Sequence, residues 1–160
     1  MAYENFEKVT GTVLEINQED SCCTLRVTLR LNRDLVHVIV TGETRVIDDV
    51  RLRRGMRIAV FYDASLPTPA VYPPQYRAEI VTALRKDQNV TLNYFDENLT
   101  AEDNSLRLNI NGMTNIVTSN GQRYLCSPAN AELLVYYTAT TFSIPPQTSP
   151  QKIIVMCPYE

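Results

Sequence analysis

The sequence contains no tryptophan, one histidine, five glycines and four cysteines in 160 residues. Each shortage narrows the possible chemistry. With His37 as the single imidazole, a hydrolase triad has one base to build on and a histidine-bearing metal site one ligand. His37 stands between Val36 and Val38 in an apolar run, the setting of a surface or half-buried strand residue. Cys22, Cys23, Cys126 and Cys157 form no pair of Cys-x-x-Cys knuckles, so no metal site is expected. Apolar packing is their default role. The peptide between Cys22 and Cys23 gives poor disulfide geometry, whereas Cys126 and Cys157 are free to meet in space. There is no Gly-rich phosphate loop, nucleophile elbow or zincin helix. No catalytic residue and no cofactor are therefore expected.

Charge of one sign is also missing. Residues 1–84 carry ten Lys/Arg against eleven Asp/Glu, and residues 85–160 carry five against seven. Neither half has the basic excess of a protein that neutralises many phosphates. No apolar run reaches membrane-spanning length, so no membrane insertion is expected. The first residues lack the apolar core of a secretory signal. The expectation is a cytoplasmic protein with reduced thiols, although a piece of a longer exported chain would read the same way.

What the sequence does have is alternation and punctuation. Cys23 to Leu31 places Leu25, Val27, Leu29 and Leu31 on one face and Arg26, Thr28 and Arg30 on the other, the pattern of a half-buried strand. Phe6 to Ile16 alternates weakly around Gly11; a glycine inside a strand marks a bulge or a bend. Leu35 to Val40, Thr44 to Ile47, Met56 to Tyr62 and Arg77 to Leu84 read as further strands. Asp48 to Gly55 reads as a helical turn or loop. In the second half Asn89 to Phe95, Leu106 to Ile110, Met113 to Thr118, Gln122 to Leu125, Leu133 to Ala139 and Ile153 to Cys157 read likewise. Asn111-Gly112 predicts a type I′ hairpin, and the two halves predict matching three-strand meanders. No segment of helical period is long enough to cover a sheet.

Two segments repeat one design. Phe61-Tyr62-Asp63 leads through a proline-rich run to Tyr72-Pro73-Pro74-Gln75 and the apolar Ile80-Val81. Tyr136-Tyr137-Thr138 leads to Ile144-Pro145-Pro146-Gln147 and Ile153-Ile154-Val155. The spacing is about 75 residues, longer than ordinary solenoid repeats. An all-β chain of two tandem, duplicated OB-like five-stranded barrels, residues 1–84 and 85–160, packed together, is the expected fold. A small sandwich or another five-to-six-stranded barrel is its rival.

The candidate binding residues are Arg51, Arg53 and Arg54, with Tyr62, Tyr72 and Tyr76 near the first proline loop. OB-type barrels combine a basic groove with aromatic platforms when they hold oligonucleotides. Against that stand Asp34, Asp48, Asp49 and Asp63 nearby. The diprolines stiffen their loops, because each fixes φ and forgoes a donor. Such a loop serves either as a rigid lid on the barrel or as an exposed recognition loop with Tyr72 and Tyr76 as anchors.

The Tyr-Asp … Pro-Pro-Gln-Tyr pattern, here "FYDASLPTPAVYPPQY", and the preceding Leu52-Arg53-Arg54-Gly55-Met56-Arg57-Ile58 resemble a family of bacterial β-modules, chiefly of Gram-positive anaerobes. The likeness covers most of residues 8–84. It is partial over 85–160, where Thr138 replaces the Asp and Thr148 the Tyr. The resemblance implies an OB-like barrel and no particular activity. Some relatives accompany exported cell-surface modules, which implies a compartment other than the cytoplasm. Taken together, the sequence predicts a non-enzymatic binding module for a protein partner or for self-association. Single-stranded nucleic acid or oligosaccharide in an OB groove is the alternative ligand.

Overall fold

The computed structural model describes residues 2–157, and among these the chain is all β, with one 3₁₀ turn and no α-helix. Two compact units divide it: Asn5–Lys86, called here the first unit, and Met1–Glu4 joined to Asp87–Glu160, the second. No helix among the described residues is long and apolar enough to cross a membrane.

In the first unit, β1 (Phe6–Gln18), β2 (Leu25–Leu31) and β3 (Asp34–Val40) form an antiparallel meander. Asn32, at φ +31°, and Arg33 turn β2 into β3. β4 (Arg45–Val46), a 3₁₀ turn at Ile47–Asp49, β5 (Arg57–Asp63), β6 (Gln75–Arg77) and β7 (Ile80–Ala83) follow. The sheet order is β4-β7-β5-β1-β2-β3-β6. β1 serves two partners in succession: Phe6 to Thr12 face β5, and Thr12 to Gln18 face β2. The register slips between Val13 and Glu15. At the hand-over, a Cβ on Gly11 would lie 2.8 Å from the Arg30 carbonyl oxygen. Only glycine leaves room for that approach.

The closing segment also changes partners. The Ala78 N–H donates to Ile39 O on β3 at 2.9 Å, and the next N–H, of Glu79, donates to Phe61 O on β5 at 2.9 Å. The sequence reading of one continuous strand from Arg77 to Leu84 is thus replaced by two short ones, β6 and β7, parallel to β3 and antiparallel to β5 respectively. The expected barrel is not a sheet closed by continuous pairing: β4 and β6 stand at the two ends of the order. Val13, Val27, Leu29, Val36, Val38, Ile58, Val60 and Val81 make the core. These are the inward positions of a period-two pattern, as the alternation of β2 and β3 requires.

The second unit holds β8 (Asn89–Phe95), β9 (Arg107–Leu108), β10 (Asn115–Thr118), β11 (Ala131–Tyr137), β12 (Gln147–Thr148) and β13 (Lys152–Val155). They form a four-stranded sheet, β10-β13-β11-β8, and a parallel pair, β12-β9. Phe95, Leu106, Leu108, Leu133, Val135, Ile153 and Val155 fill its core. Ala2 and Tyr3 join this unit by donating their N–H groups to the two carboxylate oxygens of Glu132, each at 3.0 Å.

The hairpin expected at Asn111-Gly112 is absent. The Met113 N–H bonds the Asn111 side-chain oxygen at 2.8 Å, and the Thr114 N–H bonds Asn111 O at 3.1 Å. Among the described glycines only Gly55 and Gly121 have positive φ, so the type I′ geometry is not formed. The Thr114 hydroxyl instead donates to Pro150 O at 2.9 Å, which steers β10 into parallel pairing with β13. A side-chain turn with a distant anchor overrides the local Asn-Gly preference. The second meander is therefore not formed, and the first, expected with turns at Asn32-Arg33-Asp34 and Gly42-Glu43, loses its third strand: β4 pairs with β7 instead of β3. The expected strand from Gln122 to Leu125 reduces to a single bridge, Val117 with Arg123, around the turn at Gly121.

Similar backbone bonds occur within each unit. His37 N–H to Pro74 O and Arg107 N–H to Pro146 O are both 2.8 Å. Glu79 N–H to Phe61 O and Gln151 N–H to Tyr136 O are both 2.9 Å. The Thr44 hydroxyl donates to Ala78 O at 2.8 Å, as Thr114 does to Pro150 O. Tyr72-Pro73 and Ile144-Pro145 are both cis.

Candidate functional site

Each unit carries a proline loop between a seven-residue strand, β5 or β11, and the last two strands of the unit. In the first unit the loop starts with a turn in which the Asp63 carboxylate accepts the Ser65 N–H at 2.9 Å. It ends where Pro74 O accepts the His37 N–H. Between these ends Leu66, Val71 and Tyr72 are exposed, Tyr72 at 78%. In the second unit the loop is tied by polar bonds: the Gln147 N–H donates to the Thr141 hydroxyl at 3.0 Å, and the Ser143 hydroxyl donates to Pro145 O at 2.8 Å. Phe142 and Ile144 stand out from it, at 106% and 93% exposure. An aromatic and a β-branched side chain thus stand side by side in solvent on a loop whose backbone is held by hydrogen bonds.

The predicted tyrosines separate into two roles. Tyr62 on β5 and Tyr76 on β6 stack on each other, with ring centroids 4.1 Å apart and planes at 18°. The Tyr62 hydroxyl also reaches Glu7 Oε2 at 3.1 Å. Burial, and then the bond to Glu7, push the Tyr62 phenol well above the usual tyrosine range. Tyr76 is half-buried. Tyr72 alone of the three stands on the surface.

The predicted arginines separate too. Arg51, Arg53 and Arg54 are exposed in the segment before β5. The Arg54 Nε–H donates to Leu14 O at 3.1 Å, which turns its guanidinium toward β1. There it borders a shallow hollow of about 410 Å³ with Thr12, Val13, Leu14, Arg30 and Gly55. A second hollow, about 420 Å³, is lined by Thr10, Gly11, Thr12, Arg30, Leu31, Asn32 and Arg57. Arg51 and Arg53 line neither. Arg26, on the outer face of β2, pairs with Glu19 at 3.3 Å.

His37 is half-buried on β3, opposite Thr28 of β2 and Gln75 of β6. The cysteines are not packed as expected: all four are free and exposed. Cys22 and Cys23 lie in the turn after β1, next in sequence to Glu19, Asp20 and Ser21. Cys126 and Cys157 both act on Tyr124, whose phenol is raised first by burial and then by these two thiols. Among the described residues no group of three or more His, Cys, Asp or Glu is arranged to hold a metal ion.

Sequence reasoning passed over Phe142 and Ile144. The available signal was two large apolar residues among Thr and Ser in a segment without strand alternation. No protein-family model matches this chain, and no curated protein matches it.

Proposed function

We propose that the chain is a non-enzymatic interaction module that docks a protein partner through its proline loops. The observation that carries this reading is the matched exposure of Tyr72 in one loop and of Phe142 and Ile144 in the other. Side chains of this kind lose the most water-exposed area when a partner covers them, and aromatic anchors dominate interface energetics. Tyr62 and Tyr76 are engaged with each other, so two of the three tyrosines that a base-stacking ligand would need are already in contact. That favours a protein partner over single-stranded nucleic acid or an oligosaccharide.

The scaffold reading that goes with it is a duplicated OB-like unit. Its support is the recurrence of the same backbone bonds around Pro74 and Pro146, Thr44 and Thr114, and Phe61 and Tyr136. A long first strand that changes partners at Gly11, and a closing segment that passes from β3 to β5 at Ala78-Glu79, support the same reading.

The test is site-specific photo-crosslinking in cells, with the reactive group placed at position 72, at position 144, and at exposed position 123 as a control. The reading expects a protein adduct at each of the two loop positions and none at the control. Equal labelling at all three positions sinks it. So does a turnover of any substrate that His37→Ala abolishes.

A further inference from the structure

The two hollows on the first unit are neighbours, because both are bordered by Thr12 and Arg30. Arg54 closes one end of the strip and Arg57 the other, with Arg30 common to both halves. The remaining lining is neutral: Thr10, Thr12 and Asn32 supply hydroxyl and amide donors, and Gly11 brings backbone close to the floor. Among the described lining residues of both hollows there is no carboxylate. This is unusual in a chain of net charge −3.

The placement follows from the bend in β1. Gly11 lets β1 come within contact of the Arg30 carbonyl, and Thr12 pairs with Arg30 on one side and Arg57 on the other. The two arginines are thereby set on opposite flanks of one strand. Arg54 is aimed by its bond to Leu14 O, one residue past Val13. Guanidinium groups grip oxyanions through paired N–H donors, and phosphate is the oxyanion they match best after carboxylate.

We propose that Arg54, Arg30 and Arg57 form a binding strip for linked phosphates, as in an inorganic or organic triphosphate group. A single phosphate would meet one half of the strip. Several oxyanions joined through bridging oxygens would span all three cations. The hollows are shallow and lack any aromatic lining, so no platform holds a nucleobase. Recognition therefore rests on the charged chain itself. The strip is distinct from the proline loops and is independent of the docking reading.

The experiment is titration calorimetry of the full chain with inorganic triphosphate and with orthophosphate, at about 50 mM salt, where screening is weak. Triphosphate is expected to bind at least about tenfold more tightly than orthophosphate, and more weakly as salt rises. Arg30→Ala and Arg54→Ala should each weaken triphosphate binding by about tenfold or more. Arg30→Lys keeps the charge but loses the fork, so it should recover only part of the affinity. Arg123→Ala, in the second unit, should leave binding unchanged, and unfolding curves confirm that each variant is folded. No heat from triphosphate at up to about 1 mM overturns the proposal. So does binding that Arg30→Ala leaves intact. Competition by oligothymidylate as strong as that by triphosphate at equal charge would overturn the assignment of ligand and transfer the strip to nucleic acid.

Discussion

Two residues show how narrow the tolerances are. Gly11 is required by space rather than by φ: the nearest atom to an added Cβ is backbone oxygen, at 2.8 Å, and backbone cannot swing aside as a flexible side chain can. Gly11→Ala is expected to destabilise the first unit by about 1–3 kcal/mol through overpacking. Denaturant unfolding measures this, and an unchanged midpoint would refute the close approach. Tyr62 ties stability to alkaline pH. Its folded-state pKa is raised above the unfolded value near 10, by burial first and then by Glu7. The neutral phenol is thus favoured by folding. The associated stability is complete below about pH 10 and is lost as pH climbs through the folded-state value. The protein should lose stability above about pH 10 more steeply than its Tyr62→Phe variant. Parallel stability–pH curves for the two would show that Tyr62 is not the group responsible.

At the scale of elements, the instructive pair is Thr44 and Thr114. Each follows a turn, each donates its hydroxyl to a carbonyl just before the closing strand, and each leads into a parallel pairing with that strand. Thr44→Val and Thr114→Val keep the shape and remove the donor, leaving Ala78 O or Pro150 O without that partner. Each change is expected to cost about 1–3 kcal/mol. Amide exchange should rise first in β4 and β7 for the former and in β10 and β13 for the latter. Exchange that rises elsewhere and spares these strands would show that the hydroxyls do not hold the pairing. The same threonines explain what was readable in advance. Of the meander expected over Cys23 to Ile47, the third strand, β4, pairs with the distant β7 instead of β3, but the β2-β3 hairpin was legible, because alternation and a short turn are local signals. Asn89 to Phe95 was legible for the same reason. The parallel pairing of β3 with β6 joins His37 to Gln75, and nothing local announces a partner so distant. Asn111-Gly112 misled because its hairpin preference competes with an anchor on Pro150 that only the folded chain supplies. The candidate site was legible to the same depth. Closeness to the proline loop singled out the tyrosines, but not that Tyr62 would face Tyr76. Charge flagged the arginines, but not that the bend at Gly11 would gather Arg30 and Arg57 beside Arg54 and leave Arg51 and Arg53 apart.

The molecule as a whole is not threaded as its sequence order suggests. Its first residues belong with its last seventy or so, while Asn5–Lys86 forms a unit of its own. The tie is Glu132, whose two carboxylate oxygens take the Ala2 and Tyr3 amides. Glu132→Ala should therefore raise amide exchange at Ala2 and Tyr3, and Glu132→Gln should restore only part of the protection, because an amide presents one acceptor oxygen where a carboxylate presents two. Unchanged exchange in Glu132→Ala would show that the tie is not populated. The arrangement has a consequence for the order of manufacture. On the ribosome, Ala2 emerges 130 residues ahead of its partner. At about 5–20 residues per second, that is on the order of ten seconds. Throughout that interval Ala2 and Tyr3 lack the carboxylate that will hold them, and the strands β1 to β7 can assemble behind them. The second unit is then completed by residues from both sides of the first unit in sequence.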